Sequence, residues 1–367
     1  MRIKALHIAI LMIISPIVGG VCAQETVWVS TPLELAIDAR SSALGGKIVA
    51  DTKPYGHAAS YNPSLVDSSS NGVIHVSYLN YFAGVNVGAV DAVIFNKKKV
   101  TLHTGVRFAT YGNFSGFDAS GWPTEDFTGG DYYAQTGITF RLDTSVTLGV
   151  TAWGGFRNLA RENAGVLGLD FGIVKRWKSK HFAVGVLASS IGRQFAGTGS
   201  QPVGWTPMNL QLGLTKGFNH APFQIYLKYQ HLEKWGLAPI GTYADGSDPL
   251  TGAVIANGKW EFGDQLSRHI TGGVEMKFGE NFSAQIGYDH RRRLEMVAAG
   301  RKGTNGISIG MGMKFGDLDV SLARNTYHFA GRVYLEDYDT KQAVCDPIYP
   351  APPTRIHLLL VNIPLLY

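Results

Sequence analysis

Residues 307–315 read Ile-Ser-Ile-Gly-Met-Gly-Met-Lys-Phe, with every odd position large and apolar and every even one small or polar. Alternation of this kind places one face of an extended strand in grease and the other in a polar setting, and no helix can reproduce it. The same pattern sets Leu210, Leu212 and Leu214 against Asn209, Gln211 and Thr215. It sets Phe223, Ile225, Leu227 and Tyr229 against Gln224, Lys228 and Gln230, and Phe282, Ala284, Ile286 and Tyr288 against Ser283, Gln285, Gly287 and Asp289. A half-buried soluble sheet shows such alternation too, so the connections between strands must decide the class.

Marking every alternating run from Val73 onward predicts strands at 73–82, 85–95, 100–111, 131–142, 146–157, 165–177, 181–191, 207–217, 222–233, 267–278, 282–293, 305–315, 318–329 and 355–366. That makes about 14 strands, each near the 9–11 residues that a tilted membrane strand needs. Asn96–Lys99, Asp143–Ser145, Lys178–Lys180, Phe218–Ala221, Gly279–Asn281 and Gly316–Asp317 are tight turns rich in Gly, Asn, Asp and Lys. Between them lie the longer connections 112–130, 158–164, 192–206, 234–266, 294–304 and 330–354. Short and long connections alternate after the first hairpin, turned at Ala83-Gly84, which is the one exception. A membrane barrel has this asymmetry because one rim faces the periplasm and the other the exterior. The expectation is an all-β fold, a transmembrane antiparallel β-barrel with a small N-terminal helical plug.

Composition and targeting agree. Charged residues make up only 17%, aromatics 11%, and glycine numbers 45 of 367 residues, which suits strands better than a charge-laced soluble fold. Arg2 and Lys4 precede the apolar run Ala5 to Val18, and Val21-Cys22-Ala23 offers a small residue before Gln24, so residues 1–23 read as a signal peptide. Its removal takes away two of 33 bases and none of 28 acids, and the net charge falls from +5 to +3. No nucleic-acid partner is implied by so small an excess. Only Cys345 would then remain, so no internal disulfide is expected. Beyond the signal no apolar run approaches the roughly 18 residues of a membrane helix, which leaves a closed sheet as the way to span a bilayer.

The segment before the first strand differs in kind. Thr31, Pro32 and Glu34 supply an N-cap, a first-turn proline and part of a capping box, and Gly45-Gly46 stops the pattern, predicting a helix over 32–44. Residues 24–72 read as a plug for a lumen wide enough to need filling, and 73–367 as the barrel. His103, Arg107, Arg141 and Asp170 fall on inward-facing strand positions, so a polar network joining wall and plug is expected there. Tyr78, Tyr81, Phe82, Tyr132, Tyr133, Trp177 and Trp235 fall near strand ends, where interfacial aromatic girdles belong.

Ala39-Arg40-Ser41-Ser42-Ala43-Leu44-Gly45-Gly46 and Asn62-Pro63-Ser64-Leu65 resemble the amino-terminal signature of outer-membrane barrels related to the fatty-acid transporter FadL, which usually carry Ala where Ser42 and Ser64 stand. His220-Ala221-Pro222-Phe223, His231-Leu232-Glu233-Lys234-Trp235, Ser267-Arg268-His269, Gly287-Tyr288-Asp289-His290-Arg291-Arg292-Arg293 and Tyr327-His328-Phe329-Ala330-Gly331 are together similar to the PorQ-like barrels of the type IX secretion system in the Bacteroidetes. The resemblance runs from about residue 30 to 331 and departs at 332–354, with Cys345 and four prolines. It implies an outer-membrane scaffold of the attachment complex that holds a PorZ-like surface protein beside PorU and PorV, and it assigns Arg40, Asn62 and Pro63 to the plug. The alternative is a FadL-like channel for hydrophobic compounds.

Chemical motifs add little. Gly306-Ile307-Ser308-Ile309-Gly310 matches the G-x-S-x-G nucleophile elbow, but that motif needs a strand-to-helix turn and this copy lies inside an alternating strand. No metal-ligand or phosphate-loop motif occurs, and no catalysis, metal or cofactor is expected. Arg291-Arg292-Arg293 with Arg301 and Lys302 form the sharpest charge feature. Two readings stand side by side: contact with lipopolysaccharide phosphates or an acidic partner, and a solvated strand end paired with Glu295 and other local acids.

Overall fold

A sheet in hydrocarbon has to pair its last strand with its first, because an unpaired edge would leave backbone groups with neither water nor protein to bond. The computed structural model describes residues 34–53, 55–66, 73–81, 84–97, 99–159, 162–197, 204–219, 221–239, 242–243, 246–247, 254–255, 260–296, 304–315, 318–326 and 356–364. Residues 1–23, expected to be a signal peptide, Thr31 and Pro32, Arg301 and Lys302, and the stretch 332–354 with Cys345 lie outside the described residues.

Fourteen strands close into one antiparallel barrel: β1 (Val73–Asn80), β2 (Asn86–Lys97), β3 (Val100–Phe114), β4 (Phe127–Arg141), β5 (Val146–Leu159), β6 (Glu162–Trp177), β7 (Phe182–Gly197), β8 (Asn209–Gly217), β9 (Phe223–Tyr229), β12 (Ile270–Phe278), β13 (Phe282–Asp289), β14 (Ile307–Phe315), β15 (Leu318–Asn325) and β16 (Ile356–Pro364). The two-residue strands β10 (Gly246–Ser247) and β11 (Val254–Ile255) pair with each other outside it. Closure is made by β1, whose Tyr78 registers with Gly88 of β2 on one side and Leu359 of β16 on the other. No helix among the described residues is long and apolar enough to cross a membrane.

The wall is inside out relative to a soluble protein. Outward-facing Leu167, Ile286 and Val106 are 59%, 53% and 52% exposed, while inward-facing Thr151, Thr215 and Gln211 are buried to 1–2%. Alternation along each strand therefore meets lipid on one face and a packed polar interior on the other, the arrangement expected from the sequence. The core is the plug, residues 34–66, which carries the short helix α1 (Ala39–Ala43) and two single 3-10 turns. Leu44, Ile48, Ala50, Ala58, Tyr61 and Leu65 of the plug pack with inward-facing Val174, Ala183 and Tyr226 of the wall.

Several boundaries differ from the expectation. Of the helix predicted over 32–44, the described residues show Glu34 as helical and a separate helix over Ala39–Ala43, because Asp38 turns extended and its carboxylate caps the Ser41 N–H at 2.8 Å. The loop predicted at 158–164 is a tight hairpin, since β5 and β6 pair as far as Leu159 and Glu162. The strand predicted over 222–233 stops at Tyr229, just before His231 takes a left-handed φ of 58°. Helices α2 (Glu261–Arg268) and α3 (His290–Glu295) replace the ends predicted as strand at 267–278 and 282–293, and Asp289 caps α3 by accepting from the Arg292 N–H at 3.1 Å. Tyr133 leaves the predicted girdle: strand parity turns it inward, where it meets Trp153 edge-on at 6.2 Å.

Those shortened strands make the wall uneven. β3 to β7 run 14–16 residues, whereas β9 has 7 and β13 and β15 have 8. The low side faces the connections that carry α2 and α3.

Wall glycines appear where the plug backbone lies directly on the sheet. A Cβ at Gly213 would stand 2.6 Å from Val49 Cβ, and one at Gly287 would collide with the backbone of Ala43, Leu44 and Gly45. Gly287→Val is expected to displace the plug at a cost of about 1–3 kcal/mol from overpacking. Limited proteolysis should then cut within 34–66 while the barrel keeps its heat-modifiable gel mobility; an unchanged digestion pattern would refute the close approach.

Candidate functional site

A part-buried cation of the plug, Arg40, is bonded to the wall. Arg40, in the first turn of α1, donates from Nε to Glu275 Oε1 at 2.8 Å and from Nη2 to Glu275 Oε2 at 2.9 Å, a two-pronged pairing with β12. Its Nη1 donates to Asp51 Oδ2 at 2.9 Å, its Nη2 also reaches the Tyr226 hydroxyl of β9 at 2.5 Å, and the guanidinium lies 4.7 Å from the Tyr55 ring centre. Burial by itself would lower the guanidinium pKa, but Glu275, Tyr226 and Asp51 outweigh it and raise the value above normal, so the charge is permanent. One cation against two carboxylates, with both prongs hydrogen-bonded, is a pairing that tolerates the low dielectric.

Around this lock, wall side chains bond to plug backbone carbonyls from several directions. Ser308 Oγ of β14 donates to Ala43 O at 2.9 Å, Asn325 Nδ2 of β15 to Ser42 O at 3.1 Å, and Thr215 Oγ1 of β8 to Ala50 O at 2.6 Å. Thr139 Oγ1 of β4 donates to Pro63 O at 2.7 Å, and Arg176 Nε of β6 to Asp51 O at 2.9 Å. An irregular segment in a lumen has no sheet partner, so these side chains stand in for the missing ladder. Ser308, the serine of the elbow-like motif, is 1% exposed, stands within β14 and spends its hydroxyl on this task.

The residues singled out in the sequence have distinct places. Arg40 is the centre of the lock. Asn62 holds the plug to itself, donating to Val49 O at 2.9 Å and accepting from Ser64 Oγ at 2.8 Å, while Pro63 abuts the wall at Gly149 and accepts from Thr139. Arg107 donates to Gln135 Oε1 at 2.5 Å, and Gln135 in turn donates to Ala59 O of the plug at 3.1 Å and to Asp91 Oδ1 at 2.8 Å. His103 is fully buried and meets Thr151 Oγ1 at 3.1 Å, wall to wall. Asp170 is likewise a wall residue: it accepts from Trp153 Nε1 at 3.1 Å and from the Ser190 N–H at 2.7 Å, filling the irregularity where β6 and β7 shift register.

Sequence reasoning passed over Glu275, Asp51, Tyr226, Asp91 and Gln135. The signal for Glu275 and Asp91 was present: each is an acid at an inward position of a strand whose outward neighbours are apolar, Val274 and Met276 for one, Val90 and Ala92 for the other.

The three consecutive arginines do not form one patch, because successive residues on a helix point about 100° apart. Arg291 Nε pairs with Glu295 at 2.9 Å, Arg292 turns to Asp289 at 3.6 Å and the lumen, and Arg293 Nη1 reaches Asn305 O at 3.5 Å. Arg292 helps line a polar cavity of about 80 Å³ between plug and wall, with Lys47, Lys228, Asp289, Ser190 and Gln211. Burial, reinforced by Arg107, pulls the Lys47 ammonium down to about 8. A second cavity of about 20 Å³ lies between Ile48, Val49, Leu214 and Tyr226. Among the described residues no cluster of His, Cys, Asp and Glu could hold a metal ion.

No protein-family model matches the sequence, and no curated protein is significantly similar to it. Solved structures do match. The Pseudomonas putida toluene transporter TodX superposes with a TM-score of 0.50 at 12% identity, over 91% of this chain and 98% of its own. The chain has the fold of the FadL-type outer-membrane barrels. The monoaromatic hydrocarbon channel CymD (TM-score 0.48, 10% identity, 89% and 96% covered) and a Pseudomonas aeruginosa FadL homologue (0.43, 10%, 92% and 100%) are also similar. With an outward apolar face on a closed wall, the protein resides in the outer membrane.

Removing the cation should free the plug. Arg40→Met leaves Glu275 and Asp51 buried without their partner, a loss of about 3–5 kcal/mol by the usual cost of breaking a buried pair. Urea titration read by plug proteolysis is expected to show an earlier transition, and adding Glu275→Gln should recover part of the loss. Equal urea midpoints for wild type and Arg40→Met would overturn the lock.

Proposed function

We propose that the protein is a plugged outer-membrane barrel acting as a scaffold, a PorQ-like member of the type IX secretion attachment complex that holds a PorZ-like surface protein, near PorU, PorV and lipopolysaccharide, through its external rim. The observation that carries this reading is the plug, bonded to wall strands on several sides of the lumen and centred on Arg40. A rigid, filled cylinder suits display of loops better than passage. Among the described residues, cavities beside the plug measure about 20 and 80 Å³, and the larger is polar, whereas a dry cavity that admits benzene is about 150 Å³. The motifs between His220 and Gly331 supply the finer assignment. Among the external connections, 115–126 stands on the tall side of the wall and exposes Phe117 at 62% and Trp122 at 72%, the large aromatic type that anchors interfaces.

A second reading is a channel for hydrophobic compounds. The comparisons speak for it more directly, since the similar structures are described as a toluene transporter, a monoaromatic hydrocarbon channel and a FadL homologue. The register shifts between β6 and β7 mark where such a wall would part, although here Asp170 and Ser190 fill one of them.

Affinity purification from native outer membranes separates the two. The scaffold predicts recovery of a surface-exposed protein and no hydrocarbon uptake by proteoliposomes; uptake by the barrel alone, or recovery with bound fatty acid and no protein, would replace it with the channel. Phe117→Ala with Trp122→Ala should weaken partner recovery roughly 30-fold, as loss of a 2 kcal/mol anchor does, with gel mobility unchanged.

A further inference from the structure

We infer that the outer face of the low side of the wall, carried by Trp235, Trp260 and Phe262, is seated in the outer-leaflet interface of the lipid bilayer, where helix α2 completes a wall that the strands leave short. The first ground is height. A seven-residue strand such as β9, rising about 3.3 Å per residue at a tilt of about 40°, covers about 18 Å of the roughly 25 Å apolar band of an outer-membrane barrel. The 16-residue strands β6 and β7 cover about 40 Å by the same arithmetic and need no supplement.

The second ground is continuity with the lipid-facing surface. Phe223, Ile225, Leu227 and Tyr229 form the outward row of β9, opposite buried Gln224 and Tyr226. Where that row ends, the rings carry on. Tyr229 stacks on His269 at 4.8 Å with planes 2° apart, His269 stacks on Trp235 at 5.4 Å, Trp235 meets Phe262 at 5.3 Å, and Phe262 meets Trp260 at 6.0 Å. His269 is held rigidly in the middle: one ring nitrogen lies 2.7 Å from Gln230 O and the other 3.1 Å from Trp235 O, with no surface exposed. The far end of the ladder is bare, with Trp260 at 74%, Phe262 at 56%, and Trp235 and Leu232 at 46% each.

The third ground is the company these rings keep. Exposed Lys234 and Glu261 adjoin Trp235 and Trp260, and the side chains that α2 buries against the protein are polar, Gln265 and Arg268. Tryptophan bodies in grease with charged neighbours at hand is the chemistry of the membrane–water boundary.

Spin labels at Trp260→Cys and Phe262→Cys, in a Cys345→Ser background and reconstituted in phosphatidylcholine–phosphatidylglycerol vesicles, should be more accessible to molecular oxygen than to a water-soluble nickel chelate. A label at Trp122→Cys, on the tall side, should show the reverse. If the labels at 260 and 262 are as open to the chelate as the one at 122, the face is not in lipid and the inference is overturned, including the case of a face protected only by a protein partner in native membranes. Should the cysteine variants fail to fold, quenching of tryptophan fluorescence by brominated lipid answers the same question: the inference requires Trp260→Phe to remove part of the quenched emission, and identical quenching would sink it.

Discussion

Backbone hydrogen bonding in a medium without water governs this molecule. Each N–H and C=O at membrane depth needs a protein partner, so the sheet must close, and it does so where β1 accepts β16 as its second neighbour. Closure then fixes much else. Successive strands run antiparallel, long connections gather at one rim, and alternate side chains divide between lipid and lumen. With 14 strands the enclosed space is too wide for wall side chains to fill, and residues 34–66 occupy it.

The plug meets the same rule in a different way. It is mostly irregular, so it cannot satisfy its own carbonyls, and the wall lends it hydroxyls, amides and a guanidinium from β4, β6, β8, β14 and β15. Glycines at inward positions let its backbone rest on the sheet, as at Gly213 and Gly287. At the centre, Arg40 binds two carboxylates and an aromatic cage, so the interior is polar yet almost every group in the lock has a partner.

How much of this was legible beforehand differs by element. Strands such as 307–315 and 282–289 could be read directly, since alternation there is a local property of the chain. The ends of β9, β12 and β13 could not, because Asp289 as a helix cap and His231 in a left-handed turn override a pattern that would otherwise continue. Tyr133 was misplaced for a related reason: nearness to a strand end says nothing of which face a ring occupies, and parity put it inside. The triple arginine illustrates the converse, for neighbours in sequence were separated by the helical period into three different contacts.

The amino-acid order by itself determined the fold class and the membrane, because the two-residue period and the tight-then-long connections are each local and need no partner to be seen. It also marked Arg40 as a residue of the plug. Only the tertiary structure decided that Arg40 would meet Glu275, 235 residues away, and that the ring of Tyr229 would continue through His269 and Trp235 to Trp260. Such meetings depend on the register of closure, which joins the two ends of the chain in space, and no window along the sequence contains that information.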